Sequence, residues 1–169
     1  MTDLRTNALV VGGTGMLADA TRWLAARVPD LTLVARSPEA LATEIGANSC
    51  PMDLKAPDAV TRLPEGPFDV ALVWIHGDMV HMARPIADML RPDGRLVRVH
   101  GSLSWDPAME RERDPDPRSD IRQQVCILGY HPTASGKQWL TDTEISDGAI
   151  ALLGDASQER LIVGTKAGP

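Results

Sequence analysis

The segment NALVVGGTGMLADATRWLA, Asn7 to Ala25, passes from a strand pattern through a glycine turn into a helix pattern. A short apolar run, Ala8 to Val11, stops at Gly12 and Gly13, and an amphipathic stretch then begins near Gly15. Read as G-x-G-x-x-A through Gly13, Gly15 and Ala18, it fits the turn that receives a dinucleotide. One glycine permits the tight turn, the next lets backbone approach a pyrophosphate, and the small third residue keeps helix close to sheet. The pyrophosphate would rest on unpaired N–H groups at the positive end of the helix dipole. On this reading Gly12, Gly13, Thr14, Gly15, Met16 and Leu17 are candidate cofactor contacts.

The pattern after this segment repeats strand and helix. Leu17, Ala20, Trp23, Leu24 and Arg27 keep helical spacing to about Val28, and Pro29-Asp30 ends it. LTLVA gives a second strand, and Ser37-Pro38 reads as a capped helix start running to about Ile45. NSCPMD is a short third strand, with a modest helix expected from Leu54 to Leu63. FDVALVWI, Phe68 to Ile75, is almost wholly apolar, as a central parallel strand covered on both faces should be. A helix over Met79 to Leu90, a turn at RPDG and a fifth strand RLVRVHG follow. The expected fold is α/β, a doubly wound parallel sheet of order about 3-2-1-4-5 with further strands near the C-terminus.

Past the fifth strand the regularity fails. Asp106 to Arg122 holds six acids and four arginines without apolar period. Its composition fits a solvated connection, and its position beyond a strand end also fits a lid over a site. QQVCILGY reads as a strand that KQWLT joins in a hairpin across Pro132 to Gly136. Thr141 to Leu153 is a helix whose Thr141 and Glu144 form a capping box, which makes Glu144 structural. RLIVGT closes the chain as a last strand.

Composition narrows the ligand. The 169 residues, 43% hydrophobic, suffice for one domain with a real core and leave no room for a second. A formal charge of −6 disfavours nucleic acid and acidic membrane as partners and favours a small molecule. Cys50 and Cys126 have neither metal-ligand spacing nor the density of a disulfide scaffold, so both read as reduced. The four histidines lack a His-x-x-x-His pattern, and no metal site is expected. MTDLRTN is not a signal region and no run has the length of a membrane span, so the expected location is cytoplasmic.

Arg36 selects among nucleotides. NAD-dependent enzymes place an acid at the end of the second strand for the ribose hydroxyls, and this chain has Val34-Ala35-Arg36-Ser37. A guanidinium there, 23 positions after Gly13, can bind a 2′-phosphate and stack on adenine, which favours NADP over NAD and S-adenosylmethionine. The alternative is an arginine facing water at the start of the next helix.

With these residues in view the chain resembles the short-chain dehydrogenase/reductase superfamily, particularly its atypical members. VVGGTGMLADA is similar to that family's opening turn, and VAR to its NADP-type second strand. MDL around Asp53 is similar to the segment whose aspartate contacts the adenine amine, although Asp53 would equally suit a helix start. ALVWIHG stands where the family has Asn-Asn-Ala-Gly, and GRLVRVHGS stands where its fifth strand ends near a catalytic serine. The resemblance spans roughly Ala8 to Ser104, and the tail, with WLTDTEIS, is similar to small bacterial proteins of short-chain dehydrogenase type. It implies a Rossmann-like single domain over 1–169, with NADP contacts at Ser37, Asp53, Leu54, Ile75 and Gly77 beside those already named. It also implies a homodimer, since relatives often pair through helices flanking the sheet.

The family's Tyr-x-x-x-Lys pair is missing. The single tyrosine, Tyr130, has Ala134 at the fourth position, Lys137 comes seven residues on, and Pro132 breaks any helix through both. Substitute proton donors stand near predicted strand ends, namely His76, His100 and Ser102. Ser102, His76 and Tyr130 are therefore the catalytic candidates, and each also has a plain structural reading in a turn or loop. Trp74 reads as core, whereas Trp105 suits either a ligand cover or packing under the charged loop. His81 should be exposed and His131 in a turn. Arg98, inside a central strand, calls for a salt bridge or a subunit contact. The expectation is an NADP(H)-dependent reductase transferring hydride to a small substrate with non-standard catalytic residues. The alternative is a non-catalytic NADP(H)-binding sensor, because fold alone does not settle activity.

Overall fold

The computed structural model describes residues 7–101 and 118–165. Seven parallel strands form one sheet in the order β3-β2-β1-β4-β5-β6-β9, which carries the expected order outward by two strands. They are β1 (Asn7–Val11), β2 (Asp30–Ala35), β3 (Asn48–Pro51), β4 (Phe68–Trp74), β5 (Leu90–His100), β6 (Arg122–Leu128) and β9 (Arg160–Val163). Strand alternation divides the core in two. Ala8, Val10, Leu33, Leu72, Val97, Val99, Cys126 and Leu128 pack on one face with α1 (Ala18–Ala25), α2 (Glu39–Ile45) and α4 (Asp142–Gly154). Leu9, Val11, Val34, Ala71, Val73 and Leu96 pack on the other, with α3 (Ala83–Asp88). Both faces of the central strands are thus covered, which is why β1 and β4 read as nearly continuous apolar runs.

Several elements depart from the sequence expectation. The helix expected at Leu54 to Leu63 is a 3₁₀ turn, Ala59–Arg62, because Pro57 removes a donor just ahead of it. The helix expected at Met79 to Leu90 divides into a 3₁₀ segment, Gly77–Met82, and α3. Pro85 is tolerated only in a first helical turn, so α3 starts at Ala83. Ser37 makes no cap to α2, where Pro38 holds the N-cap position. The RPDG turn is an irregularity inside β5: pairing with β4 jumps from Phe68–Leu90 to Val70–Arg95, and Asp93 takes φ 63°.

The hairpin is also corrected. Residues 122–128 do not pair with 137–141; they lie parallel between β5 and β9. The strand breaks at Gly129, where a side chain would meet the Thr165 carbonyl at 2.3 Å. The hairpin consists of β7 (Tyr130–Thr133) and β8 (Gly136–Trp139). The capping box of α4 forms as expected, with Thr141 and Glu144 bonded reciprocally.

Candidate active site

The loop from Gly12 to Leu17 joins β1 to α1 at the C-terminal edge of the sheet. Strand order reverses there, since β1 pairs with β2 on one side and β4 on the other. Gly12 takes φ 75°, and a Cβ on it would lie 2.5 Å from the Trp74 carbonyl oxygen, so this turn needs glycine twice over. Gly13 is packed against Val10 and Thr21, whereas the space a Gly15 side chain would occupy is open.

Four carbonyls of this loop, those of Gly13, Gly15, Met16 and Leu17, are bonded to protein donors. Thr21, wholly buried, donates its hydroxyl to Gly13 O and Leu17 O, both at 2.9 Å. Gly15 O accepts from Ala18 N at 2.9 Å, and Met16 O accepts from the buried Ser146 hydroxyl of α4 at 2.9 Å. Among the described residues, the N–H groups of Gly13 to Leu17 donate to no protein acceptor. A loop whose carbonyls are held inward and whose amides remain available, with open space at Gly15, is a cradle for an anion. A pyrophosphate fits this set of donors. Leu17 itself is wholly buried, so its contribution is its amide.

The nucleotide candidates on neighbouring strands lie at the same edge. Arg36 and Ser37 are exposed just past the end of β2. Asp53 is exposed beyond β3, and its Oδ1 accepts the Lys55 amide at 2.9 Å in a local turn, not at the helix start that its alternative reading gives. Leu54 and Ile75 are 9% and 8% exposed, and Gly77 is exposed. Ile75 and Gly77 line, with His76, Val80, Arg98 and His100, a small open cleft at the ends of β4 and β5.

The catalytic candidates are dispersed. His76 is exposed at that cleft, its ring edge-on to Trp74 at 5.3 Å between centroids. His100 lines the cleft from β5 and is 3% exposed. Tyr130 belongs to β7 and is not among the residues that line the cleft; its ring stands edge-on to Trp139 at 5.3 Å. Hairpin register brings Lys137 back over it, Nζ 4.4 Å from the ring centroid, an approach that linear spacing did not offer. Ser102 and Trp105 lie outside the described residues, as does the charged segment up to residue 117. Arg118 and Asp120, which follow it, pair with each other, and Arg118 also donates to Ala87 O and Leu90 O. His81 is exposed, and His131, in β7, pairs with Glu144 at 2.6 Å. The Thr141 amide and hydroxyl, and then His131, hold the Glu144 carboxyl below its ordinary value of 4.5. Burial pushes the Cys126 thiol up to about 12, consistent with an inert core residue. Among the described residues no three His, Cys, Asp or Glu side chains gather as a metal site, and no helix is long and apolar enough to cross a membrane.

Thr21 and Ser146 were not found from sequence. Thr21 had a signal, a polar residue on the apolar stripe Leu17, Ala20, Leu24; Ser146 had none, since its partner is 130 residues away.

No family model and no curated protein matches the chain. Solved structures do. BdcA of E. coli in complex with NADPH is 16% identical over 97% of this chain and 96% of that one, with a TM-score of 0.64. A bulky-bulky ketone specific alcohol dehydrogenase from Comamonas testosteroni is 16% identical over 94% and 86%, at 0.67. A short-chain dehydrogenase/reductase of glucose/ribitol dehydrogenase type from Brucella melitensis is 13% identical over 96% and 96%, at 0.62. The chain shares the Rossmann-like α/β fold of these structures.

Proposed function

We propose that the chain is an NADP(H)-dependent oxidoreductase that reduces a small molecule. The observation carrying this reading is the Gly12–Leu17 loop, its carbonyls tied inward by Thr21, Ser146 and Ala18 and its amides available at the point where strand order reverses. The likeness in fold to BdcA, solved with NADPH, supports the same cofactor class.

In this reading the amides of Thr14, Gly15, Met16 and Leu17 hold the pyrophosphate, and Arg36 with Ser37 holds the 2′-phosphate. Asp53 and Leu54 border the adenine, and Ile75 and Gly77 border the far end of the cofactor. NADPH, when bound, supplies the hydride. The protein's remaining task is to hold the acceptor and deliver one proton, for which His76, Tyr130 and Ser102 are the candidate donors. An imine or an activated alkene asks less of that donor than a ketone does.

Titration with NADPH and NADH of the native chain and of Arg36→Ala tests the cofactor. A guanidinium–phosphate hydrogen bond contributes about 1.5–3 kcal/mol, so the substitution should weaken NADPH roughly 10- to 150-fold and leave NADH nearly unchanged. Equal weakening of both would refute the 2′-phosphate assignment. NADPH oxidation measured against carbonyl, imine and enone panels then tests turnover.

A further inference from the structure

β4 is buried along its length until its last residue. Phe68 to Val73 are enclosed, whereas Trp74, at the C-terminal end, is half-buried. Alternation puts the indole on the face of Val70 and Leu72, where it packs against the core layer of α1 and α4. Val11 and Val73 are register partners, so Trp74 stands beside Gly12, where the nucleotide loop begins. A Cβ on Gly12 would lie 2.5 Å from the Trp74 carbonyl oxygen and 3.5 Å from the Trp74 Cβ. The indole thus leaves the strand next to the loop. Half-burial keeps part of a large apolar surface in water, a cost that a flat group laid on it would recover.

His76 extends the arrangement. Its ring stands edge-on to the indole, with 5.3 Å between centroids and 71° between planes. Among the described residues, neither ring nitrogen of His76 enters a hydrogen bond or an ion pair, and the residue is exposed. Contact with Trp74 is therefore what orients the ring. A neutral imidazole in that state keeps one donor and one acceptor for a ligand.

The order of the sheet gives the pair its place. Arg36 and Asp53 follow β2 and β3, the Gly12–Leu17 loop follows β1, and β4 is the next strand along. A dinucleotide that starts at Arg36 and rests its pyrophosphate on the loop carries its second ring onto the end of β4.

We propose that Trp74 and His76 form the wall on which the nicotinamide ring of NADP(H) rests, Trp74 supplying the apolar surface and fixing the angle of the His76 ring. This placement rests on the NADP(H) reading above. It puts His76, one of the candidate proton donors, beside the ring that gives up hydride.

The test uses the full chain with NADP⁺, NADPH and adenosine 2′,5′-bisphosphate, which keeps the phosphorylated adenosine and lacks nicotinamide. Binding is followed through the indole N–H resonance of Trp74 and the ring C–H resonances of His76, assigned with Trp74→Phe and His76→Asn. NADP⁺ and NADPH should shift both residues' signals, by different amounts because only the oxidised ring is aromatic and charged. The bisphosphate should bind and leave those signals in place. Trp74→Leu should raise the NADPH Kd about three- to tenfold, the range an aromatic pair supplies, and leave the bisphosphate Kd unchanged. Trp74→Phe should recover part of the loss. If Trp74→Leu does not fold, the resonances of the native chain decide. Signals that move as far with the bisphosphate as with NADPH would overturn the placement, because the adenosine half would then lie at β4. Signals unmoved by bound NADPH would also overturn it, as would equal weakening of both ligands in Trp74→Leu, the mark of a purely structural tryptophan. Failure of NADPH and the bisphosphate alike to bind would remove the cofactor reading and this placement with it.

Discussion

The hydroxyl of Thr21 is wholly buried and has two acceptors, Gly13 O and Leu17 O. Leu17 O also receives the Thr21 amide, an ordinary helical bond, so the hydroxyl matters chiefly to Gly13. Thr21→Val keeps the shape and removes the donor, leaving the carbonyl of the buried Gly13 without its partner. The expected loss is about 1–3 kcal/mol in urea unfolding, together with weaker NADPH binding, because the loop's amides are aimed by its carbonyls. Thr21→Ser retains the hydroxyl and should restore NADPH affinity even where stability stays low. If Thr21→Val binds NADPH as tightly as the native chain, the inward carbonyls do not organise the cradle. The glycines at 12, 13 and 15 were legible in the sequence because each stands in a short linear motif. Thr21 was legible only as an oddity of the stripe, and Ser146 was invisible because folding alone joins residues 16 and 146.

At the scale of elements, α4 shows how the sheet supplies what a helix end lacks. The last carbonyls of a helix have no intrahelical donors, and α4 carries no basic residue in its last turn. Arg95 of β5 donates to Leu152 O and Leu153 O at 2.9 and 3.1 Å, and Gln124 of β6 donates to Leu152 O and Asp155 O at 3.2 and 2.8 Å. Gln124 Oε1 in turn accepts from Arg95 at 2.8 Å. Burial pushes the Arg95 pKa down, Arg122 adds to that and Asp155 opposes it, so the guanidinium depends on its acceptors. Gln124→Leu should therefore destabilise the fold by about 3 kcal/mol, because it leaves a buried cation short of an acceptor and helix carbonyls short of donors. Replacing Arg95 and Gln124 together by Met and Leu should cost less than the two single changes added, and additivity in a double-mutant cycle would refute the coupling. Long apolar strands and the capping box were readable locally. The third and fourth helical segments were misjudged because Pro57 and Pro85 limit them to short turns, a backbone constraint that apolar spacing does not register. β6 was joined to the wrong partner because a parallel neighbour 35 positions away, Val125 beside Arg160 in register with Arg98, leaves no local mark.

On the scale of the whole molecule, the proposed cofactor residues come from four adjacent strands. Gly12–Leu17 follow β1, Arg36 and Ser37 follow β2, Asp53 and Leu54 follow β3, and Ile75 and Gly77 follow β4. These strands run from the β3 edge of the sheet to β4 at its middle, so a ligand spanning their ends binds the native sheet and not the unfolded chain. Stability then rises as RT ln(1 + [L]/Kd), which at a hundredfold excess over Kd is about 2.7 kcal/mol. For a chain of this size each kcal/mol moves Tm by roughly 2–4 °C, so NADPH at that excess should raise Tm by about 5–11 °C. NADH at the same concentration, if ten- to hundredfold weaker for want of the 2′-phosphate, would add only about 0.4–1.4 kcal/mol and correspondingly less to Tm. Arg36→Ala should bring the two shifts together by lowering the NADPH value and leaving the NADH value in place. An equal shift for both cofactors in the native chain would mean that Arg36 faces water and that the β2 end reads only the ribose. No shift with either would leave the loop an anion cradle whose ligand is smaller than a dinucleotide, since four strand ends would then not be bridged by one molecule.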